Sequence, residues 1–206
     1  MGNNQDIEFI KKCIEKWYNN SSLMSLELES KDLLGYTIED GGVPKEMEDG
    51  TPDHEGYVKW KPIPSNINET EIQALEREYG ISFPQLYRSY LMSYYHLGIR
   101  VKMEKINISL PEIPSDNPFK EIRFELEAWK PLVNVGYLPF GDYGDGWGPI
   151  CFDFLSLDQN GDAPIIWFDH EELFNMDFEE GKPRTELDII KKDLYSSFQE
   201  FLKKMF

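Results

Sequence analysis

At 206 residues, 40% of them hydrophobic and 14% aromatic, the chain is long enough to bury about 70% of its unfolded surface without a disulfide or metal staple. Its 38 acidic against 21 basic side chains give a formal net charge of −17, which repels a nucleic-acid backbone and suits either plain solubility or a basic protein partner. Cys13 and Cys151 stand far apart with no CxxC or Cys/His grouping, and no run nears the length of an apolar membrane span, so a disulfide framework, a zinc site and membrane insertion are all unexpected.

In chain order, MGNNQD shows no basic leader ahead of an apolar run, so the expected location is the cytoplasm. Ile7, Ile10, Ile14 and Trp17 follow at helical spacing with Asp6 as the expected N-cap, an amphipathic helix. The segment from Leu33 to Pro64 is rich in Gly, Pro and acid and reads as loops with a short strand around Tyr57 to Trp60.

Asn68 as N-cap with Glu71 three residues on, an Ile72, Leu75, Tyr79 face and Gly80 as stop predict a helix. A second helix is expected from Pro84 to Gly98, carrying Leu86, Tyr87, Tyr90, Leu91 and Tyr94 on one stripe and making a helical hairpin with the first. Ile106 and Ile108 alternate as in a half-buried strand, and Phe119, Ile122, Leu126 and Trp129 fall at helical spacing behind Asn117 and Pro118. Three strands are then expected over residues 133–141, 149–157 and 163–170, the last two joined by DQNGD, a hairpin-type turn. A closing helix is expected over residues 193–206 with Leu194, Phe198, Phe201, Leu202 and Met205 apolar. Helices, mostly antiparallel strands, then helix make the class α+β.

The chemistry-bearing stretch is FGDYGDGWGPICFDF, residues 140–154. A phosphate loop needs a Lys and a helix behind its glycines, and this one leads into a strand. Asp158, Asn160, Asp162 and Asp169 fall near a calcium-loop spacing, yet Ala163 occupies the glycine position and the flanks read as strands; Asp, Asn and Gly equally suit a tight turn. His54, His96 and His170 are scattered and no nucleophile elbow occurs, so neither a catalytic set nor a metal or other cofactor is expected, although Asp169, His170 and Glu171 at a strand end could act as an acid/base group.

Binding through aromatics remains. Trp147 lies between Gly146 and Gly148, flanked by Asp142 and Asp145; facing solvent together, they suit a basic partner through hydrogen bonds and cation–π contact. If Trp147 is buried, the stretch is only a turn. The candidate partner-binding residues are Asp142, Tyr143, Asp145, Trp147, Asp153 and His170, with Asp153 equally suited to bracing the turn.

Several segments in order resemble the SUKH superfamily, bacterial immunity proteins related to yeast cell-wall-synthesis regulators of the Smi/Knr type. These are the helix with Ile72, Leu75 and Glu76; the connection with Phe83 and Pro84; the helix with Tyr87, Leu91 and Gly98; the strand–loop–strand with Gly141, Asp142, Gly146 and Asp153; and NGDAPIIWFDHEE and SFQEFLKKMF. The resemblance spans residues 57–206, leaving residues 1–56 as an N-terminal extension. Leu97-Gly98 replaces the usual Asn-Gly, and Trp147-Gly148-Pro149 lengthens the loop. It implies a central, mostly antiparallel sheet flanked by helices and a non-enzymatic role, most often stoichiometric occlusion of a cognate toxin domain such as a nuclease. A regulatory scaffold that docks cellular partners, as in the yeast relatives, is the alternative.

Overall fold

The computed structural model describes residues 4–24, 42–56, 58–103, 106–144 and 146–206; Tyr57 and Asp145 lie outside them. Six strands form one antiparallel sheet in chain order: β3 (Arg100–Met103), β4 (Ile106–Ser109), β5 (Tyr137–Tyr143), β6 (Pro149–Asp153), β7 (Ile165–Trp167) and β8 (Lys192–Tyr195). A two-stranded sheet pairs β1 (Ile63–Pro64) with β2 (Tyr94–Tyr95). The helices are α1 (Asn4–Met24), α2 (Glu69–Tyr79), α3 (Gln85–Leu91), α4 (Lys120–Ala128), α5 (Lys130–Val133), α6 (His170–Asn175), α7 (Arg184–Ile190) and α8 (Phe198–Met205). The protein is an α+β fold, as its sequence predicts.

Central strands are apolar at nearly every position because the sheet is covered on both faces. Leu138, Phe140, Ile150, Phe152 and Ile165 pack into one core, while the alternating Tyr137, Cys151 and Ile166 pack into a second, as the two-residue period of a strand requires. The first core takes Ile10 and Ile14 of α1, Tyr87 and Tyr90 of α3 and Phe198 and Phe201 of α8; the second takes Leu132, Leu173 and Leu187 from α5, α6 and α7. Phe140 and Phe152 stack at 4.0 Å, and Tyr87 and Phe198 meet them edge-on. Truncating either Phe to Ala should cost about 3–5 kcal/mol.

The N-terminal helix shares this core: Trp17 donates its indole N–H to the Arg100 carbonyl at 2.7 Å and stacks on Trp60. It starts before Asp6, which lies inside its first turn rather than capping it. Trp60 contributes a single bridge to Glu48.

Local signals hold where the chain supplies them. The Asn68 side chain accepts the Thr70 and Glu71 N–H groups, and Glu71 accepts the Asn68 N–H at 2.9 Å, while Gly80 ends α2 left-handed at φ 65°, a capping box worth about 1 kcal/mol. Glu76, buried on that helix, accepts the Phe83 N–H at 2.6 Å and pairs with Arg88 of α3, which fixes the hairpin.

Several boundaries differ from the sequence expectation; the strand expected over 163–170 is only Ile165–Trp167, because Asp169 caps α6, which His170 opens. α3 stops at Leu91 instead of running to Gly98, because Ser93 Oγ donates to the Tyr90 carbonyl at 2.7 Å and Tyr94 pairs with Pro64. The expected strand at 133–141 begins only at Tyr137, since Pro131 opens the short helix α5. β6 ends at Asp153 in a 3₁₀ turn rather than continuing to Leu157. The closing helix begins at Phe198, where the Ser197 hydroxyl accepts the Glu200 N–H; Leu194 belongs to β8, which pairs with β7.

Candidate functional site

The loop of residues 143–148 is a tight reversal between β5 and β6. The Tyr143 N–H donates to the Gly148 carbonyl at 3.0 Å and the Trp147 N–H to the Tyr143 carbonyl at 2.9 Å, while Asp142 Oδ2 accepts the Gly146 N–H at 2.5 Å. Gly148 sits at φ 137°, where an added Cβ would lie 2.0 Å from the Phe168 carbonyl oxygen; the loop therefore presses directly on the chain entering α6. The His170 N–H donates to the Trp147 carbonyl at 2.8 Å, tying the loop to that helix.

Trp147 is 58% exposed. Its indole covers Gly144, where a Cβ would meet the ring at 2.9 Å, so the side chain lies across the loop with its outer face in solvent. Asp142 is half-buried beside it, and Asp145 is outside the described residues. His170 is exposed at the start of α6, edge-on to Trp129 at 6.0 Å. The remaining two candidates sit elsewhere. Tyr143 is buried, stacked on Trp167 at 4.2 Å. Asp153, 2% exposed, lies at the far end of the hairpin, bound to Arg184 at 2.6 Å and Lys191 at 3.4 Å and accepting the Ser156 hydroxyl. Arg184 also lies over the Tyr137 ring at 4.3 Å, and Tyr137 donates to Asp188 at 2.6 Å.

The carboxylates of the calcium-like spacing have structural tasks. Asp158 Oδ1 accepts the Asn160 and Asp162 N–H groups within its turn. Asp162 accepts the Phe198 and Gln199 N–H groups, capping α8, and Asp169 accepts the Glu171 and Glu172 N–H groups, capping α6. His96, fully buried against the Tyr90 hydroxyl at 2.7 Å, has its pKa pulled down to about 3 by burial; it is a neutral core group.

A feature absent from the sequence reading adjoins Asp142. Glu112, Glu121 and Glu125 line, with Asp142, Ser109 and Gly141, a cleft of about 230 Å³. Burial, then Asp142 and Glu121, push the Glu125 carboxyl up to about 7, and burial, then Glu121, do the same to Glu112. Burial is the larger cause in both, and the neighbouring carboxylates add to it. Glu121 and Glu125 are one helical turn apart on α4, a like-charge pair that the sequence does display; their nearness to Asp142 depends on how α4 packs on β5. A second cleft of about 390 Å³ is lined by His170, Glu171, Phe174 and Asn175, with Phe174 74% exposed.

Among the described residues no helix is long and apolar enough to cross a membrane. No curated protein matches the chain. A model of the SMI1 / KNR4 family (SUKH-1) matches residues 66–204, from the turn before α2 through nearly the whole of α8, and so takes in both helices of the hairpin, all six strands of the main sheet and the Trp147 loop. With two thirds of its length matched, the chain belongs to the SMI1 / KNR4 family (SUKH-1).

Proposed function

We propose that this chain is a cytoplasmic immunity protein of the SUKH type, which binds a bacterial toxin domain and occludes its active site without chemistry of its own. The observation that carries the reading is membership of the family over residues 66–204. The net charge of −17 adds support: an acidic inhibitor is steered toward a basic toxin such as a nuclease, whose substrate is an anion. Asp142, Trp147 and His170 are the candidates for contact. Asp145 joins them by its place in the loop, while Tyr143 and Asp153 would act by bracing the hairpin from within.

Expression beside the toxin-like reading frame of its own locus tests the reading. The expected result is rescue of growth and recovery of one tight complex with the partners in equal amount. Absence of any such neighbour, or failure to rescue from it, overturns it. The same family match carries a second reading, a regulatory scaffold, for which purification should recover several weaker partners.

A further inference from the structure

The sequence contains a single Asn–Gly pair, Asn160–Gly161, at the tip of the connection between β6 and β7. Such a pair can modify itself. The glycine nitrogen lies within reach of the asparagine side-chain carbonyl carbon, and glycine has no Cβ to obstruct the approach. Here Asn160 is exposed to the water the reaction consumes, and a Cβ on Gly161, at φ 75°, would meet nothing within 4 Å. No side chain shields the bond.

The turn restrains it from within. The Gly161 N–H donates to the Asp158 carbonyl at 3.0 Å, and Asn160 Nδ2 reaches Asp158 Oδ2 at 3.4 Å. Asp158 Oδ1 also accepts the Asn160 and Asp162 N–H groups at 2.8 and 2.9 Å. Hydrogen bonds, chiefly from the Asp162 N–H and further from Asn160 and Gly161, hold the Asp158 carboxyl below its ordinary range. A fixed anion there makes the Gly161 nitrogen harder to deprotonate, because a second negative charge would form beside the first.

We propose that Asn160 is a deamidation site that Asp158 guards in the folded chain, and whose modification loosens the start of α8. The Gly161 nitrogen gives its proton to hydroxide and bonds to Asn160 Cγ; the Cγ–Nδ2 bond breaks, ammonia leaves, and a five-membered succinimide remains. Water opens the ring at either carbonyl, leaving aspartate or isoaspartate. No oxidant and no partner protein take part. The isoaspartate lengthens the main chain by one carbon between Asp158 and Asp162, which now exchange the Asp158 N–H to Asp162 carbonyl bond at 2.8 Å. Asp162 is also the residue that accepts the Phe198 and Gln199 N–H groups, so the change is passed to α8.

The full chain is incubated at pH 8, folded and in urea, and residues 158–162 are followed by peptide mass spectrometry for the exchange of –NH2 for –OH. Asn160 should deamidate at least about fivefold faster in urea and in folded Asp158→Ala, the worth of one lost hydrogen bond. Asp158→Ser, whose hydroxyl still accepts in such a turn, should fall between, and Asn160→Ser should show no change at the site. Exposed Asn134 and Asn175, which precede Val135 and Met176, should not accelerate in folded Asp158→Ala. Hydrogen exchange at the Phe198 and Gln199 amides should quicken in the deamidated chain. Equal rates folded and unfolded would overturn the guard, as would acceleration of all three asparagines together in Asp158→Ala. No deamidation of Asn160 even in urea would remove the site, and unchanged α8 amides after modification would remove the coupling.

Discussion

The β5–β6 hairpin carries an aspartate near each end, and the two have opposite surroundings. Asp153 is buried between Arg184 and Lys191 and accepts a further hydrogen bond from Ser156. Asp142 faces Glu121 and Glu125, and its interaction raises the Glu125 pKa. At one end the carboxylate lies between two cations; at the other it lies among further carboxylates. The residue type does not decide which. The helices arriving at each end do, α7 bringing cations and α4 bringing carboxylates.

Removing the buried charge should have the largest effect. Asp153→Asn keeps the volume but takes the buried carboxylate from Arg184 and Lys191, which retain Asp188, and should cost about 3 kcal/mol, the low end for a broken buried pair. Urea unfolding at pH 7 should show the loss. A change below about 1 kcal/mol would mean that the pairing is dispensable and that the two ends do not differ as described.

The loop end is held by backbone geometry instead. Gly148→Ala places a methyl into the Phe168 carbonyl at a positive φ and should cost about 2 kcal/mol, read by thermal melting. Hydrogen exchange should localise the loosening to residues 143–148 and the start of α6, with the Arg184 end unaffected.

Glu125→Gln sharpens the contrast by reversing the sign. The carboxyl titrates near its ordinary 4.5 when unfolded and at about 7 in the fold, so the folded state binds the proton more tightly. Its favourable contribution is complete below pH 4.5, declines as pH rises toward 7, and stays lost above that. Glutamine cannot titrate. The variant should be more stable than the parent by about 1 kcal/mol at pH 8, after allowance for solvent screening, with the gap closing toward pH 4.5. Denaturation midpoints at pH 8 and pH 5 would show it; equal midpoints at both would mean that neither burial nor the neighbouring carboxylates disfavour the charged form of Glu125.

What the sequence disclosed of this follows from the range of each signal. The α2 boundaries were legible because Asn68, Glu71 and Gly80 cap their own helix within a few residues. The start of α8 was misread because Leu194 and Phe198 are four apart, a spacing that imitates a helix, whereas the pairing that makes Leu194 a strand residue comes from β7. At the site, the glycines around Trp147 announced a loop. Nothing local announced that Asp153 would meet Arg184, 31 positions away, or that α4 would set Glu125 beside Asp142. Tyr143 is intermediate: strict two-residue alternation would set it opposite Phe140, three positions back, and the bulge between Pro139 and Gly141 shifts the period so that both reach one core.

Trp147→Ala should have the smallest effect on stability. With 58% of the residue in solvent and its backbone bonds to Tyr143 and His170 independent of the side chain, the loss should stay within about 0.5 kcal/mol, as for surface substitutions generally. Affinity for the cognate partner should nonetheless fall about tenfold, the measure of a single aromatic anchor. The pairing of these two results is what separates the ends of the hairpin: the Asp153 substitution weakens binding only as far as it unfolds the chain, while the Trp147 substitution weakens binding with the fold intact. A loss above about 1 kcal/mol would make the indole a strut over Gly144, and the loop would then serve the fold as the Asp153 end does.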